Sequence, residues 1–410
     1  MRLPTASPRP TILRRAASVG VPAAALAAVL VSAGAAPSNA DTTPSTPSTS
    51  PTTPTTTTPT GLLGAPIATF TSADDEVSLP RVSAGLGVVA WSEPVGKDWA
   101  LRLATDRDGV LPGQFDTQPW PVDASVGARG NAPEVLWSHC PITSSAPRRR
   151  VANGCDIVRI PTVRAGATSA LLGGASTRTF SETAPSRDGN KIVFSRRATG
   201  SDRASIMLRD LGKHANRTLA GGPLGSCKST AICTRDGFLA GGAEETSVDG
   251  DRYAALWRRF GGRDQLGISD NETVLRGIIG RSTSRILTLG GGPGVISGTC
   301  AERHYSSVQQ LGTVAQSVRH TYDCDSTPAN GSDVVQRVTS KGAVTEYADP
   351  DHRRIVAASS DGDRLWLVRE VRPYDYAAST GEPAFCSSGV GGCEVVAVDN
   401  PVFKPVERGA

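Results

Sequence analysis

One unit, SETAPSRDGNKIVFSRRATGSDRASIMLRDLGKHANRT from Ser181 to Thr218, recurs along the chain and restricts its fold more than any other feature. Within it Ser186-Arg187-Asp188-Gly189 is a turn signal and Ile192-Val193-Phe194 a short apolar strand; Ser205 to Leu211 is a second strand and Arg217 to Leu219 starts a third. The order returns at Ser247-Val248-Asp249-Gly250-Asp251, followed by Tyr253 to Trp257, Gln265 to Ser269 and Thr273 to Leu275. It returns again at Ser359-Ser360-Asp361-Gly362-Asp363, followed by Leu365 to Val368 and Glu394 to Val398. In such turns Asp bonds its own backbone and Gly accepts a positive φ. Asp188, Gly189, Asp249, Gly250, Asp361 and Gly362 therefore read as turn residues; their triplets lack the distal carboxylate of a calcium loop.

Weaker copies keep the strand and lose the Asp-Gly. Val88 to Trp91 precedes Leu101 to Ala104, Val135 to Trp137 precedes Asp156 to Ile160, and Val318 to Tyr322 precedes Val334 to Val338. With Trp91, Trp137, Phe194, Trp257, Tyr322 and Val368 as markers, the spacings are 46, 57, 63, 65 and 46 residues, which makes six units. Residues 276 to 310 fit no copy, so seven units stay open. A four-stranded antiparallel sheet cannot bury both faces alone, and radial stacking of such sheets covers each inner strand on both sides. The marker strands accordingly read as unbroken apolar runs. Leu62 to Phe70 is the expected closing strand, since the last unit lacks an outer strand of its own.

The pattern S-x-D-G with three apolar residues soon after, then a strand ending Arg-Asp-Leu or Ile-Ser-Asp, resembles the WD40-like β-propeller repeat of the TolB family. The likeness is strongest over Ser181 to Thr218 and Glu245 to Leu275. It implies an all-β, six-bladed β-propeller, with seven blades as the alternative, that binds a partner. It implies no activity, because this repeat specifies fold. The chain shows no TolB-like α/β domain before the propeller, so the Tol partnership is not implied. Propellers of this kind also precede α/β-hydrolase domains in prolyl-peptidase relatives, but no G-x-S-x-G elbow occurs in this sequence.

The expected domains are a signal peptide over 1–40, a disordered Thr/Pro-rich linker over 41–60 and the propeller over 61–410. Arg2, Arg9, Arg14 and Arg15 precede an Ala/Val-rich run, and Ser38-Asn39-Ala40 gives the small-x-small pattern of a cleavage site. The product is expected to be secreted or held at the cell surface, with an uncleaved signal anchor as the alternative. The segment DTTPSTPSTSPTTPTTTTPT has no large apolar residue to bury and reads as an extended stalk. The formal charge of +4 belongs to the leader: without its four Arg, 39 basic residues face 39 acidic ones. A nucleic-acid partner is therefore not expected, nor is membrane insertion after cleavage.

Eight cysteines in an exported chain point to disulfides, and they fall into close pairs: Cys140 with Cys155, Cys227 with Cys233, Cys300 with Cys324, and Cys386 with Cys393. Gly312, and Gly389 with Val390, sit at the midpoints of the last two pairs, as in bridges that tie the arms of hairpins. Each bridge would contribute about 2 to 3.5 kcal/mol. Arg148, Arg149 and Arg150 lie midway between Cys140 and Cys155, either a partner-binding loop for an anionic surface or a solvated tip.

None of the histidines, His139, His214, His304, His320 and His352, has a neighbour at metal-ligand spacing, so no metal and no cofactor is expected. His304 and His320 flank the hairpin expected between Cys300 and Cys324. Four of the six Trp lie in marker strands, which leaves Trp99 and Trp120 for a binding surface. The sequence thus predicts a monomeric, non-enzymatic propeller that binds a protein or a cell-envelope component. The alternative is a propeller enzyme of polysaccharide lyase or hydrolase type, with acid and base groups gathered at the central channel.

Overall fold

In a computed structural model, the described residues are 65–72, 79–113, 115–140, 155–177, 179–198, 201, 203–223, 242–261, 269–281, 283–288, 302–323, 330–378 and 385–406. The chain divides into Met1–Thr56, which lies outside them, and Thr57–Ala410, to which all that follows refers. The expected leader and linker, Cys227, Cys233, Cys300, Cys324 and Arg148 to Arg150 also lie outside the described residues.

The architecture is all-β and propeller-like, a succession of antiparallel meanders; among the described residues the helical elements are two short 3-10 turns. A lone strand β1 (Ala68–Phe70) comes first. The first meander is β2 (Val82–Gly85), β3 (Val88–Val95), β4 (Asp98–Thr105) and β5 (Gly109–Val110). The second is β6 (Ser125–Arg129), β7 (Ala132–His139), β8 (Asp156–Ile160) and β9 (Ala170–Leu171). The third is β10 (Phe180–Asp188), β11 (Lys191–Ala198), β12 (Arg203–Asp210) and β13 (Ala215–Pro223). The fourth is β14 (Gly242–Asp249), β15 (Arg252–Gly261), β16 (Ser269–Ile278) and β17 (Thr283–Thr288). The fifth is β18 (Glu302–Leu311), β19 (Val314–Asp323), β20 (Asn330–Thr339) and β21 (Val344–Ala348). The last is β22 (Ile355–Asp361), β23 (Arg364–Glu370) and β24 (Cys393–Asp399), and β25 (Lys404–Pro405) then adds to the edge of β21.

The last meander takes its outer strand from far back in the sequence: Ala68 pairs with Val395, Thr69 with Glu394 and Phe70 with Cys393. Within the stretch from Leu62 expected to close the fold, the paired part is Ala68–Phe70. The second and third meanders join into one eight-stranded sheet where Asp188 meets Ala128 in parallel. Gly127 allows that approach, because a Cβ there would run into the Arg187 carbonyl oxygen.

Two expectations about the repeat are corrected. The marker strands β3, β7, β11, β15, β19 and β23 are the second strand of each meander, not the innermost. Their central residues are mostly apolar because neighbouring sheets cover both faces; Trp91, Phe194 and Trp366 are fully buried there. The innermost strands precede the turns and are richer in Ser, Asp, Glu and Gln. In the fourth meander, the strands expected over Gln265 to Ser269 and Thr273 to Leu275 are not two: Ser269–Ile278 is one strand, and Gln265 to Ile268 lie outside the described residues. The segment that fitted no copy holds the end of β16, all of β17 and all but the last residue of β18.

The turn aspartates reach beyond their own turns. Gly250 N–H donates to Asp188 Oδ2 (2.7 Å), and Gly312 N–H to Asp249 Oδ2 (2.5 Å). Leu86 and Gly87 N–H donate to the two oxygens of Asp361 (3.3 Å each). Each carboxylate thus caps the turn of the next meander. Gly189, Gly250 and Gly362 take the positive φ (55°, 60° and 59°) that the two-residue turns require.

Disulfides join Cys140 to Cys155 and Cys386 to Cys393. The first continues the β7–β8 pairing, in which His139 faces Asp156. The second does not tie a hairpin: Ser388–Val390 is a 3-10 turn, closed by Gly391 in the left-handed region. Trp120 is buried against the Cys140–Cys155 bridge, and Trp99 is buried in the core between the first and second meanders. Neither belongs to a binding surface.

Candidate functional site

The innermost strands surround a cavity of about 360 Å³, lined by Arg81 and by residues within 82–86, 123–128, 184–188, 245–249, 307–311 and 358–361. Its carboxylates are held by the backbone of neighbouring meanders. Asp123 accepts from Ser138 N–H (2.7 Å) and Ala184 N–H (2.6 Å), and Glu245 accepts from Val308 N–H (2.6 Å). Asp188, Asp249 and Asp361 cap turns as described. Ser83, Ser247, Ser307 and Ser359 accept from the N–H of Val126, Gln310, Ala358 and Ala84, at 2.9 to 3.0 Å. Arg81 donates to the Glu244 carbonyl (2.9 Å), which links the start of the first meander to the fourth.

A denser polar cluster, which the sequence reading missed, sits between the fifth and last meanders. His320 Nε2 is 2.9 Å from Ser306 Oγ, and His320 Nδ1 is 2.6 Å from Asp333 Oδ1. Tyr376 OH donates to Asp333 Oδ2. Ser306 Oγ also lies 3.1 Å from the Val356 carbonyl oxygen. Beside them Arg354 and Glu370 form a two-pronged buried pair, with the guanidinium 4.2 Å from the ring centroids of both Tyr374 and Phe385. Burial acts to lower the pKa of Arg354, but the hydrogen bond and charge of Glu370 lift it on balance. The Tyr376 phenol is pushed well up by burial and by the Asp333 carboxylate. Ser306, His320, Asp333, Arg354 and Glu370 are all buried, and none lines the central cavity.

A second titrating group lies in the third meander. Burial raises the Glu182 carboxyl to about 7, against the hydrogen bonds of Thr177 and the charge of Arg196, whose Nε is 3.1 Å away. Of the other histidines, His139 makes an edge contact with Trp137 (5.4 Å), while His214 and His352 sit exposed in connections with positive φ. His304 lies on β18. Among the described residues no group of His, Cys, Asp and Glu is arranged to hold a metal ion, and no helix is long and apolar enough to cross a membrane.

The signal that could have found the cluster is spacing. Ser306, His320 and Asp333 follow one another at 14 and 13 residues, the length of one strand and one turn in this fold.

No protein-family model matches the chain, and no curated protein matches it. Solved structures similar in fold include TolB from Acinetobacter baumannii, at 13% identity and TM-score 0.39, over 78% of this chain and 65% of that one. The β-propeller domain of the Trilobed protease from Pyrococcus furiosus is 9% identical, with TM-score 0.38, over 82% of this chain and 85% of that one. A prolyl endopeptidase is 11% identical, with TM-score 0.37, over 74% of this chain, which spans 40% of the peptidase. These similarities carry no activity or partner to this chain.

Proposed function

We propose that the chain is an exported six-bladed propeller that works by binding a protein or a cell-envelope component through one end of the ring. Ring closure is supported by bonds between each innermost strand and the next, from β2 onwards. They return from Ser359 and Asp361 to Ala84, Leu86 and Gly87.

The observation that carries the reading is the inequality of the two rims. In an antiparallel meander the first-to-second and third-to-fourth connections share one rim, and the remaining connections share the other. The first-to-second connections are two-residue turns throughout, such as 86–87, 189–190 and 312–313. Departures from the repeat gather on the opposite rim, between β7 and β8, β13 and β14, β17 and β18, and β23 and β24. Among the described residues, Cys140, Cys155 and Cys386 lie in connections of that rim and Cys393 is the first residue after one. Disulfides that stiffen such connections lower the entropy lost on binding, and the cavity carboxylates are already taken up by backbone N–H groups.

The test is capture from envelope extracts with residues 61–410, compared with a variant carrying Ala at Arg148, Arg149 and Arg150. A saturable partner, bound more weakly by the triple variant at low salt, is the expected result. Degradation of a wall polysaccharide by the ring alone would replace this reading with the enzymatic one.

A further inference from the structure

Ser306, His320 and Asp333 stand on β18, β19 and β20, three adjacent strands of one sheet, on the face turned to the last meander. Asp333 Oδ1 takes the Nδ1 proton of His320, and its other oxygen takes the proton of Tyr376. His320 Nε2 then lies 2.9 Å from Ser306 Oγ, within reach of the hydroxyl proton once that proton turns from the Val356 carbonyl, to which it is donated. A carboxylate that orients an imidazole, and an imidazole placed to receive a hydroxyl proton, are the two groups that make a serine oxygen nucleophilic. A merely structural role for Ser306 needs only the Val356 carbonyl, 3.1 Å away, and does not call for the histidine and the acid behind it.

We propose that Ser306 is a His320-activated nucleophile that takes acyl or phosphonyl groups from small, slender electrophiles entering between the fifth and last meanders. Phe385, half-buried and 5.2 Å from the His320 ring, covers the imidazole and is the side chain that must shift. Tyr376, whose hydroxyl donates to Asp333, and Tyr322, with its ring centroid 6.0 Å from that of Tyr376, add aromatic surface to the cluster and favour an apolar acyl chain. The Tyr322 hydroxyl is buried with no hydrogen-bond partner among the described residues, two positions along β19 from His320, and supplies a donor for the electrophile's oxygen. With an ester, the Ser306 Oγ–carbon bond forms as the hydroxyl proton passes to Nε2. The bond to the leaving oxygen then breaks, and the same proton departs with the alcohol. With a fluorophosphonate, the Oγ–phosphorus bond forms, the phosphorus–fluorine bond breaks, and fluoride and the proton leave.

The experiment is labelling of the full chain with a biotinylated alkyl fluorophosphonate, read by intact mass and peptide mapping. One adduct is expected, on Ser306. It should be absent in Ser306→Ala and form about 100-fold more slowly in His320→Gln, the loss typical of a missing general base. Phe385→Ala should label about ten-fold faster, as uncovering removes a steric barrier. A wild-type rate in folded His320→Gln would show that the histidine is structural and overturn the proposal. So would the absence of a Ser306 adduct in both wild type and Phe385→Ala, when both keep wild-type circular dichroism.

Discussion

Asp361 accepts the backbone N–H groups of Leu86 and Gly87, each at 3.3 Å, and so ties the last innermost strand to the first two-residue turn. The same bond recurs from Asp249 to Gly312 and from Asp188 to Gly250. Asp361→Ala should cost about 1–2 kcal/mol, the range for a carboxylate that caps exposed backbone N–H groups. Urea unfolding at pH 7 measures it, and Asp249→Ala should give a similar value. A loss confined to one of the two would mean that the bonds are not equivalent.

Glu182 should make stability depend on pH in an unusual direction. Its carboxyl is raised from 4.5 to about 7 in the fold, chiefly by burial, so between those values the folded state holds a proton that the unfolded state has released. Its contribution is fully present below pH 4.5 and is lost as pH rises through about 7. The loss should be about 3 kcal/mol. Glu182→Gln keeps an oxygen for Thr177 and should flatten this fall. Urea titrations of both proteins at acid and mildly alkaline pH compare the slopes directly.

Glu134 is fully buried and meets Arg187 from the third meander, with Arg159 at 3.6 Å. Burial lowers the pKa of Arg187, and the charge of Arg129 adds to the effect. Removing only the acid leaves that guanidinium buried without its counter-charge. Glu134→Ala is expected to cost about 3–5 kcal/mol. Asp106→Ala, which breaks the more exposed pair with Arg364 at 3.0 Å, should cost about 1 kcal/mol or less. Equal losses in thermal or urea unfolding would contradict this ranking.

The two disulfides should differ in worth. Cys140–Cys155 closes a span of 15 residues and has Trp120 packed against it, whereas Cys386–Cys393 closes a span of 7. Paired Cys→Ala replacement should cost about 3 kcal/mol at the first bridge and about 2.5 kcal/mol at the second on chain-entropy grounds alone. Loss of the Trp120 contact widens the gap. Urea unfolding of the two double variants gives the comparison, and a larger loss at the second bridge would reverse the order.

The sequence exposes the meander pattern because most second strands carry a short apolar run buried on both faces and each two-residue turn between first and second strands carries a Gly at positive φ. Tyr253 to Trp257 and Ile192 to Phe194 announce themselves for that reason. It hides the innermost strands, since residues such as Glu245, Thr246 and Ser247 are chosen by partners on neighbouring meanders, 62 or 63 residues away. The cluster around His320 is hidden for a related reason: its members are ordinary polar residues until three strands align in register. Trp120 misleads in the other direction, because nothing local shows that a disulfide bridge will cover it.

Among the described residues, the strand Ala68–Phe70 pairs with Cys393 to Val395 alone. In order of synthesis, β1 precedes its partner by the whole succession of meanders. Until β24 is in place, Phe70 and its neighbours have no edge to join, and the folding chain carries an unpaired strand while the local hairpins form. Long-range closure of this kind is slow relative to local hairpins. The fold therefore closes only once β24 is in place, and the folding chain is most exposed to misassociation in the interval just before.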